Sequence, residues 1–296
     1  CYNIYKNNKE MNVLSLFDGM SCGQIALNKL GIEYDSYYAS EIDKYAIQVA
    51  QMNYPNTIHI GDVTKIKGDY FGDEKIDLLI GGSPCQGFSI SGNKLNFEDE
   101  RSKLFFEFVR LLKETNPKYF MLENVGSMSN DVRNSISELL GVEPLHINSK
   151  LLSAQHRNRY YWTNISQTEI IGNDVKFSDI LEEGVDKKYY YSETVLNRLN
   201  LENIKRAGKA GYKCKGVEVE KCAPIVARHY KGMQSQHYPV IKEVDGFRKL
   251  TPIECERLQT VPDNYTSGVS DTQRFKMIGN GWTVDVISHI LKKIKQ

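Results

Sequence analysis

The chain has 296 residues, of which 41% are hydrophobic and 25% are charged, and its formal net charge is +1. This composition is typical of a globular protein with one large domain or two modest ones. No apolar run approaches the roughly 20 residues that a bilayer crossing needs, so no membrane-spanning segment is expected. The polar start CYNIYKNNKEM does not resemble a secretory signal.

The six cysteines are scattered, without CxxC pairs or neighbouring histidines. This spacing indicates neither a disulfide framework nor a metal site, and we expect a reducing, cytoplasmic setting. Met11 lies just before the first strand-like run and is a candidate start, with residues 1–10 as an extension.

Short apolar runs alternate with helical patterns from Met11 onward. The strand candidates are NVLSLF (12–17), SYYASE (36–41), TIHIGD, IDLLIGG and KYFMLENV, and the helix candidates are GQIALNKLG (23–31), DKYAIQVAQMN (43–53) and SKLFFEFVRLLKE (102–114). This alternation predicts an α/β fold with a mainly parallel sheet and helices on both of its faces.

The alternation stops after RYYWTNI (159–165), and the following Tyr/Lys/Gly-rich stretch is only weakly periodic. Such a stretch predicts a second, irregular module. The tail NGWTVDVISHILKKI (280–294) predicts an amphipathic helix capped by Asn280. We therefore expect a first domain at 1–165 with its core at 11–165, a smaller lobe at 166–247, and a return segment at 248–296 that completes the first domain.

The turn after the first predicted strand, FDGMSCG (17–23), is rich in small residues that let a ligand approach the backbone. Only Gly19, Ser21 and Gly23 approximate a GxGxxG fingerprint. By itself the turn is therefore either part of a nucleotide site or a tight turn only.

Carboxylates follow the next two predicted strands. Glu41 ends the second strand, where a carboxylate can bind two ribose hydroxyls, whereas Asp43 is expected to cap the following helix. Asp62 ends the third strand, where it can accept a hydrogen bond from an adenine amino group. With Asp18 as a third candidate, this acidic set suits an uncharged nucleoside with a cationic group better than a pyrophosphate, and it favours S-adenosylmethionine over NAD.

Cys85 stands in the loop GGSPCQGFS (81–89), directly after the apolar run IDLLI. A cysteine that only packs is expected inside such a run, so its position behind a proline favours a nucleophile. A thiolate suits addition to an electron-poor ring carbon. Glu123 in LENVG follows the neighbouring strand, where it either donates to a ring nitrogen or caps the next turn.

The segment QHRNRYYW (155–162) holds two arginines in alternation. On a strand, Arg157 and Arg159 would point to the same face, where they could bind a phosphate or a base carbonyl. In isolation, a salt-bridged surface pair is the other interpretation.

The segment RKLTPIECERLQTVPDNYT (248–266) predicts a helix that begins at Thr251, with Pro252 at its first position. Glu254 completes a capping box with Thr251. This pattern is structural.

Taken together and in this order, the segments resemble the motifs of the cytosine-5 DNA methyltransferase family of bacteria and phages. The matching segments are SLFDGMSCG, ASEID, GDV, GGSPCQGFS, ENV, QHRNRYYW, RKLTPIECERLQ and GNGWTVDVI. They cover residues 12–165 and 248–290, which is nearly everything outside the irregular lobe. Two departures from the family's patterns are Ser21, where many members carry glycine, and the absence of proline from GNGWTVD.

The resemblance implies a Rossmann-like S-adenosylmethionine-dependent methyltransferase domain and a smaller target-recognition domain at 166–247. It also implies that Cys85 attacks carbon 6 of a cytosine flipped out of double-stranded DNA, while Glu123 protonates or hydrogen-bonds ring nitrogen 3. Arg157 and Arg159 match the family's paired arginines that hold the flipped nucleotide, and Gln155 braces them.

The resemblance further implies a set of cofactor and DNA contacts. The cofactor residues are Phe17, Asp18, Gly19, Ser21, Gly23, Glu41, Ile42, Asp62, Val63, Pro84, Asn280, Trp282 and Thr283. The expected DNA contacts outside the irregular lobe are Gln86, Ser89 and Gln155.

The irregular lobe contains a basic stretch, residues 203–237, with eight lysines and arginines against two glutamates. The stretch is either a solvated loop face or a surface for phosphates and base edges. We expect it to contact DNA, in a salt-sensitive manner. The candidate contacts are Lys213, Lys215, Arg228, Lys231, Gln234 and Gln236.

The sequence therefore predicts a monomeric DNA cytosine-5 methyltransferase, either with a cognate restriction endonuclease or as an orphan phage enzyme. An RNA (tRNA) cytosine-5 methyltransferase on the same fold is the first alternative. A catalytically silent DNA-binding homologue is the second, although the presence of Cys85, Glu123, Arg157 and Arg159 argues against it.

Overall fold

The computed structural model describes residues 11–83, 100–198, 220–234 and 240–294. The chain forms two compact units. The first, called the sheet unit below, comprises Cys1–Ile147, Asn158–Thr168 and Ser288–Gln296. The second unit comprises Asn148–Arg157 and Glu169–Ile287.

One seven-stranded sheet forms the centre of the sheet unit, with the strand order β3-β2-β1-β4-β5-β7-β6. Its strands are β1 (Met11–Leu16), β2 (Tyr34–Ser40), β3 (Ile58–His59), β4 (Leu78–Gly82), β5 (Tyr119–Val125), β6 (Leu145–Asn148) and β7 (Asn158–Thr163). Strands β1 to β5 pair in parallel, whereas β7 runs antiparallel to β5. The predicted α/β fold with a mainly parallel sheet is confirmed.

Helices follow strands β1, β2, β4 and β5 along the chain, and the first three of these helices match the predicted ones. They are α1 (Cys22–Lys29), α2 (Lys44–Asn53), α3 (Glu100–Thr115) and α4 (Asn130–Leu140). The predicted cap of α2 is confirmed, because the Asp43 side chain accepts from the backbone N–H of Tyr45. The end of α1 agrees with the predicted stop, since Gly31 follows it with a φ of 64°.

Burial on both faces explains why the strands read as continuous apolar runs. Val13 and Leu14 are neighbours on β1 and therefore point to opposite faces of the sheet, and both are fully buried. On α3, Phe105 and Phe108 are also fully buried, and they belong to the same hydrophobic core as these strands. This core makes the strand ends a rigid base for the loops that follow them.

The strand order reverses beside β1, because β2 lies on one side of it and β4 on the other. In an open parallel sheet, ligands bind outside the carboxyl ends of the strands at such a reversal. The loop after β1 and the loop after β4 therefore begin at the position where the fold favours a binding site.

The second unit has little regular structure between residues 169 and 234 in its described part. That stretch contains short 3-10 turns at Phe177–Ile180, Lys187–Tyr189 and Ala227–Gln234 and one short helix, α5 (Glu193–Arg198). A hairpin follows, formed by β8 (Val240–Glu243) and β9 (Gly246–Lys249). The helices after the hairpin are α6 (Pro252–Leu258), α7 (Asp271–Asn280) and α8 (Val284–Leu291), of which α8 crosses into the sheet unit.

The packing divides the chain differently from the predicted boundaries at 165 and 247. The segment from 248 to 287 belongs to the second unit, and only the residues from Ser288 onward rejoin the sheet unit. Side-chain bonds account for this division: Arg248 and Glu254 form a fully buried ion pair, and the same Glu254 carboxylate accepts from the Glu182 backbone N–H at 2.9 Å. These bonds hold the segment after the hairpin against the segment before it.

Two predictions about the last helices have different outcomes. The capping box at the start of α6 is confirmed, with Thr251, Pro252 and Glu254 in their predicted positions. The prediction that Asn280 caps a helix from 280 to 294 is wrong, because Asn280 is the last residue of α7 and α8 begins at Val284. Among the helices of the described ranges, none combines the length and apolar character that crossing a membrane requires.

Candidate active site and cofactor loop

The turn between β1 and α1 has an unusual backbone. Phe17, Gly19 and Ser21 all have positive φ angles, of 57°, 59° and 63°. Glycine adopts this left-handed conformation readily, whereas Phe and Ser adopt it at a cost. We call residues 17–21 the cofactor loop, because it follows β1 at the reversal of the strand order.

Glu41, just beyond the end of β2, is joined to the cofactor loop. Its Oε2 accepts a hydrogen bond from the backbone N–H of Gly19 at 2.8 Å. Its Oε1 accepts from the backbone N–H groups of Ile42 and Asp43, at 2.7 and 2.8 Å. The next side chain, Ile42, is 76% exposed. Glu41 and Ile42 are the residues that the resemblance implies for the ribose and the adenine, and those contacts stay predictions.

Asp18 differs from this pattern, because its carboxyl group points into the protein. Its oxygens accept hydrogen bonds from the Tyr37 hydroxyl at 2.7 Å and from the Ser21 hydroxyl. Burial raises the pKa of Asp18 to about 6. These hydrogen bonds make Asp18 an internal support of the loop. The structure therefore does not support the predicted contact between the Asp18 side chain and a ligand.

Asp62 and Val63 follow β3. The Asp62 carboxylate accepts from the backbone N–H and the hydroxyl of Thr64, at 3.0 and 2.9 Å, and these bonds lower its pKa. Val63 is buried. Asp62 therefore stabilises the turn that follows it, and it lies near the carboxyl end of β3.

Gly23 lies in the first turn of α1 and is required for packing. A Cβ at this position would lie 2.5 Å from Cδ1 of Ile80 in β4 and 2.7 Å from the Tyr37 hydroxyl oxygen. The missing side chain therefore lets α1 approach the sheet, as glycines of nucleotide-binding folds often do. The structure gives Gly23 this packing role and shows no exposed surface for a ligand contact, because the residue is buried.

Glu123 stands on β5 directly opposite Gly82, the last residue of β4. It forms an ion pair with Arg159 of β7, with 2.7 Å between Nε and Oε1. The antiparallel pairing of β5 and β7 puts Arg159 opposite Val125, so the two charged side chains meet diagonally across the strands. Glu123 is only 9% exposed, which strengthens the pairing of its charge.

The chain leaves β4 next to this ion pair. The Asn124 amide donates to the Ser83 hydroxyl at 3.2 Å, which ties the residue after β4 to β5. The four candidates that follow, Pro84, Cys85, Gln86 and Ser89, lie outside the described residues. The end of β4 therefore lies beside Glu123, as predicted, and the described chain continues from there to Ser83.

The two arginines of QHRNR do not share a strand face, which corrects that prediction. Arg157 precedes β7 and belongs to the second unit, whereas Arg159 lies on β7. The Arg157 side chain is buried, and its guanidinium donates to the backbone carbonyls of Ile225, Gly279 and Gly281. In the structure Arg157 holds backbone segments of the second unit together.

Gln155 is fully buried next to Arg157. Its amide nitrogen donates to the carbonyl of Leu258 at 2.5 Å and to Oε1 of Gln259 at 3.0 Å, and its amide oxygen accepts from the Ile225 N–H. These bonds agree with the bracing role expected for Gln155. No polar atom of its side chain faces solvent. The prediction that Gln155 contacts DNA is therefore not supported, and its side chain bonds within the protein instead.

The candidates on the last motif also belong to the second unit. Thr283 is buried, and its hydroxyl donates to Gln259 at 2.8 Å and accepts from Ser149 at 3.0 Å. Trp282 is buried as well, whereas Asn280 is exposed. The Thr283 side chain thus has a structural role, and a side-chain contact with a cofactor is not supported there.

The candidate DNA contacts of the basic stretch are described only in part. Arg228 is exposed on the 3-10 turn Ala227–Gln234, which also carries the backbone of Lys231 and Gln234. Lys213, Lys215 and Gln236 lie outside the described residues. An exposed arginine on an irregular turn is compatible with a phosphate contact.

Three cysteines are described, and none resembles a nucleophile. Cys22, Cys222 and Cys255 are all buried, and burial raises the pKa of the Cys222 and Cys255 thiols. A thiol held neutral by burial is a poor nucleophile. Cys85, the nucleophile that the sequence predicts, lies outside the described residues.

Two polar residues that the motifs do not single out support the cofactor loop from within. Gln24 and Thr57 are buried, and the Gln24 amide donates to both Ser21 and Thr57. A buried glutamine in an otherwise apolar helix face was the one available signal, but its partner lies 33 positions away in the chain.

Comparison with known proteins agrees with this geometry. The family model for C-5 cytosine-specific DNA methylases matches residues 11–296. The chain is 32% identical to the Type II methyltransferase M1.ScrFI of Lactococcus lactis subsp. cremoris, across 98% of this chain and 80% of the relative. It is also 32% identical to the Type II methyltransferase M.HpaII of Haemophilus parainfluenzae, across 97% of this chain and 89% of the relative.

Among solved structures, the S. pombe Dnmt2 methyltransferase is similar in fold, with a TM-score of 0.76. The match covers 95% of this chain and 97% of the other, at 20% sequence identity. The family match spans the sheet unit, the Glu123–Arg159 pair and the last motif, and family membership implies S-adenosylmethionine as the methyl donor. The chain therefore belongs to the C-5 cytosine-specific DNA methylases and is a DNA (cytosine-5)-methyltransferase.

Proposed function

We propose that this enzyme methylates carbon 5 of a cytosine that is flipped out of a short double-stranded DNA site, through a covalent adduct with Cys85. The observation that carries the proposal is the Glu123–Arg159 ion pair on β5 and β7. It lies next to the end of β4, which Cys85 follows in the sequence. Flipping is required because a stacked cytosine exposes neither face of its ring to a nucleophile.

In this mechanism the Cys85 thiolate forms a bond to carbon 6, and the ring electrons move towards nitrogen 3 and carbon 5. Glu123 hydrogen-bonds or protonates nitrogen 3 as negative charge develops there. Arg159 holds the Glu123 carboxylate through one of its oxygens. Carbon 5 would then take the methyl group, with S-adenosyl-L-homocysteine as the leaving group, and loss of the proton of carbon 5 to a base would expel Cys85 and restore the ring.

The methyl donor of this proposal is S-adenosyl-L-methionine, which supplies an electrophilic methyl group. The residues fit the nucleoside part of this cofactor: Glu41 has an oriented carboxylate, Ile42 is exposed beside it, and Asp62 follows the next strand. The backbone N–H of Gly19 in the cofactor loop donates to the same carboxylate. Contacts by Pro84, Asn280 and Trp282 remain predictions from the resemblance.

We assign target recognition to the irregular lobe, residues 166–247, with double-stranded DNA as the partner. The support is its basic stretch and the exposure of Arg228. The Type II names of the relatives suggest a restriction–modification setting with a cognate endonuclease. We expect the enzyme to act as a monomer.

The test is methyl transfer from labelled S-adenosylmethionine to unmethylated duplex DNA, followed by bisulfite sequencing of the product. Wild type is expected to transfer methyl groups to one short site. Cys85→Ala should abolish transfer, and Glu123→Gln should lower kcat by about 100- to 10,000-fold, the usual contribution of a general acid. Cys222→Ala, which removes a buried thiol, is the matched control and should retain transfer.

Other outcomes would lead to different functions. Transfer to tRNA without transfer to DNA would replace this proposal with the RNA methyltransferase. DNA binding without transfer to either substrate would favour the silent homologue. Full activity in Cys85→Ala would disprove the covalent mechanism.

A further inference from the structure

A chain of hydrogen-bonded polar side chains lies buried beneath the cofactor loop. We call it the loop-support network, and its members are Asp18, Ser21, Gln24, Tyr34, Tyr37 and Thr57. It begins at the loop after β1, passes through α1 and reaches the segment between α2 and β3. All of its members belong to the sheet unit.

Gln24 is the centre of the network. Its amide nitrogen donates to the Ser21 hydroxyl at 3.0 Å and to the Thr57 hydroxyl at 2.8 Å. Its amide oxygen accepts from the Tyr34 hydroxyl at 2.7 Å. Ser21 in turn donates to Asp18. Gln24 is 1% exposed and Ser21 is fully buried, so these bonds form away from solvent.

The position of the network suggests a role beyond packing. Buried polar groups are costly unless they are paired, and an apolar side chain in place of Gln24 would fill the same space without that cost. The network lies under a turn in which Ser21 has left-handed backbone geometry, where a serine is strained and a glycine is not. The two hydrogen bonds of the Ser21 hydroxyl stabilise that conformation.

The same turn sets the position of the cofactor loop relative to Glu41. The backbone N–H of Ser21 donates to the Asp18 carbonyl at 3.0 Å, and the Gly19 N–H between them donates to Glu41. If the turn relaxes, the Gly19 N–H moves and Glu41 loses one of the bonds that orient its carboxylate. The network thus connects Thr57, which is far from the loop in sequence, to the carboxylate proposed to hold the ribose.

We propose that Gln24 and Thr57 are positioning residues for the cofactor: they hold Ser21, and through Ser21 they keep the cofactor loop and Glu41 ready to bind. This inference rests on the proposed binding of S-adenosylmethionine at the loop. It explains how this chain uses a serine where many relatives carry glycine.

The experiment measures the Kd of S-adenosylhomocysteine for the full-length enzyme by calorimetry, together with KM and kcat for methyl transfer. The variants are Gln24→Met, which keeps the size and removes the bonds, and Thr57→Val, which keeps the shape and removes the hydroxyl. We expect the Kd and the KM for S-adenosylmethionine to rise about 3- to 10-fold, the factor that the loss of one or two buried hydrogen bonds supplies. The kcat and the KM for DNA should change less than twofold.

Two controls separate positioning from a general loss of stability. Thr57→Ser retains the hydroxyl and should restore the wild-type Kd. Leu140→Ala removes buried side-chain atoms from α4 of the same unit, outside the loop-support network, and should lower Tm without changing the Kd. If Gln24→Met does not fold, Thr57→Val and Tyr34→Phe carry the test, since each removes only one hydroxyl.

The outcomes distinguish this inference from the function on which it rests. A wild-type enzyme that binds no S-adenosylhomocysteine would overturn both. A wild-type enzyme that binds it, with the same Kd in Thr57→Val and Gln24→Met, would overturn the positioning role alone. A Kd that rises equally in Leu140→Ala would also overturn it, because stability would then explain the effect.

Discussion

Two carboxyl groups at neighbouring strand ends, Asp18 and Glu41, are held by different kinds of donor. Asp18 is turned inward and receives the hydroxyls of Tyr37 and Ser21. Glu41 lies nearer the surface and receives three backbone N–H groups, from Gly19, Ile42 and Asp43. At the scale of single residues, the inward group supports the loop, and the outer group is the one that we propose for the ribose.

The inward position of Asp18 has a consequence for stability. Burial raises its pKa from 3.8 to about 6, so the folded protein holds the Asp18 proton more tightly than the unfolded chain does. The charged form therefore destabilises the fold above about pH 6, and this penalty disappears as the pH falls towards 4. Tyr34, Tyr37 and Glu41 face the same carboxyl group and remain in place in the variant described next.

Asp18→Asn removes this titration and keeps the shape of the side chain. We compare the free energy of unfolding of the variant with that of the wild type at two pH values. Relative to wild type, the variant should be more stable at pH 7.5 than at pH 4.5, by on the order of 2 kcal/mol. Urea denaturation at both pH values measures it, and Asp131→Asn on the exposed face of α4 is the control. A difference that does not change with pH would mean that Asp18 titrates normally.

At the scale of elements, the contact between α1 and the sheet determines where the cofactor loop lies. Helix α1 can approach β4 because Gly23 has no side chain, and the loop is the short connection between β1 and this helix. On the other side of β4, the antiparallel pairing of β5 and β7 brings Arg159 to Glu123. The candidate site therefore depends on two contacts on either side of β4: the packing of α1 at Gly23 and the Glu123–Arg159 ion pair.

Gly23→Ala tests the first of these contacts. The added methyl group would lie 2.5 Å from Ile80 Cδ1, so helix or side chain must shift, and we expect a loss of about 1–3 kcal/mol in the free energy of unfolding. Combining it with Ile80→Val, which removes the nearest atom, should recover part of that loss. The control Asn28→Ala lies on the exposed face of the same helix and should change stability by less than about 0.5 kcal/mol. Full stability of Gly23→Ala alone would refute the packing role.

At the scale of the whole molecule, charge is distributed unevenly although the net charge is only +1. The basic stretch of the irregular lobe carries an excess of positive charge, and Arg228 is exposed within it. The second unit around it is stabilised by buried ion pairs, of which Arg248–Glu254 has both side chains fully buried. Buried ion pairs of this kind stabilise a unit that has few helices and strands in its described part.

DNA binding through this surface should depend on salt. If Arg228 contacts one phosphate, Arg228→Gln should reduce the magnitude of the slope of log K against log salt concentration by about 0.9. Fluorescence anisotropy with a duplex oligonucleotide at several salt concentrations measures the slope. Lys113→Gln, an exposed cation on α3 of the sheet unit, should leave the slope unchanged. An equal change in both variants would mean that net charge alone is responsible.

The sequence could predict the sheet and the motif residues because their signals are local. Parallel strands buried on both faces read as apolar runs, and a helix start such as Thr251-Pro252-Glu254 is encoded within four residues. The position of Glu41 follows from the same rule, since it lies at the end of a predicted strand, whereas Glu123 lies within β5, two residues before its end.

Long-range side-chain bonds decided the rest. The buried position of Arg157 could not be predicted from its spacing to Arg159, because its guanidinium binds carbonyls 68 to 124 positions away in the chain. The same holds for the segment from 248 to 287, which the Arg248–Glu254 pair and Gln155 hold within the second unit.

The sequence by itself determined the family, the α/β fold and the chemistry of the candidate residues, because these depend on residue types and local periodicity. Only the tertiary structure decided which polar side chains face a ligand and which support the backbone. Asp18, Gln155 and Thr283 became internal for one physical reason: a buried polar group must find partners, and its partners come from distant parts of the chain.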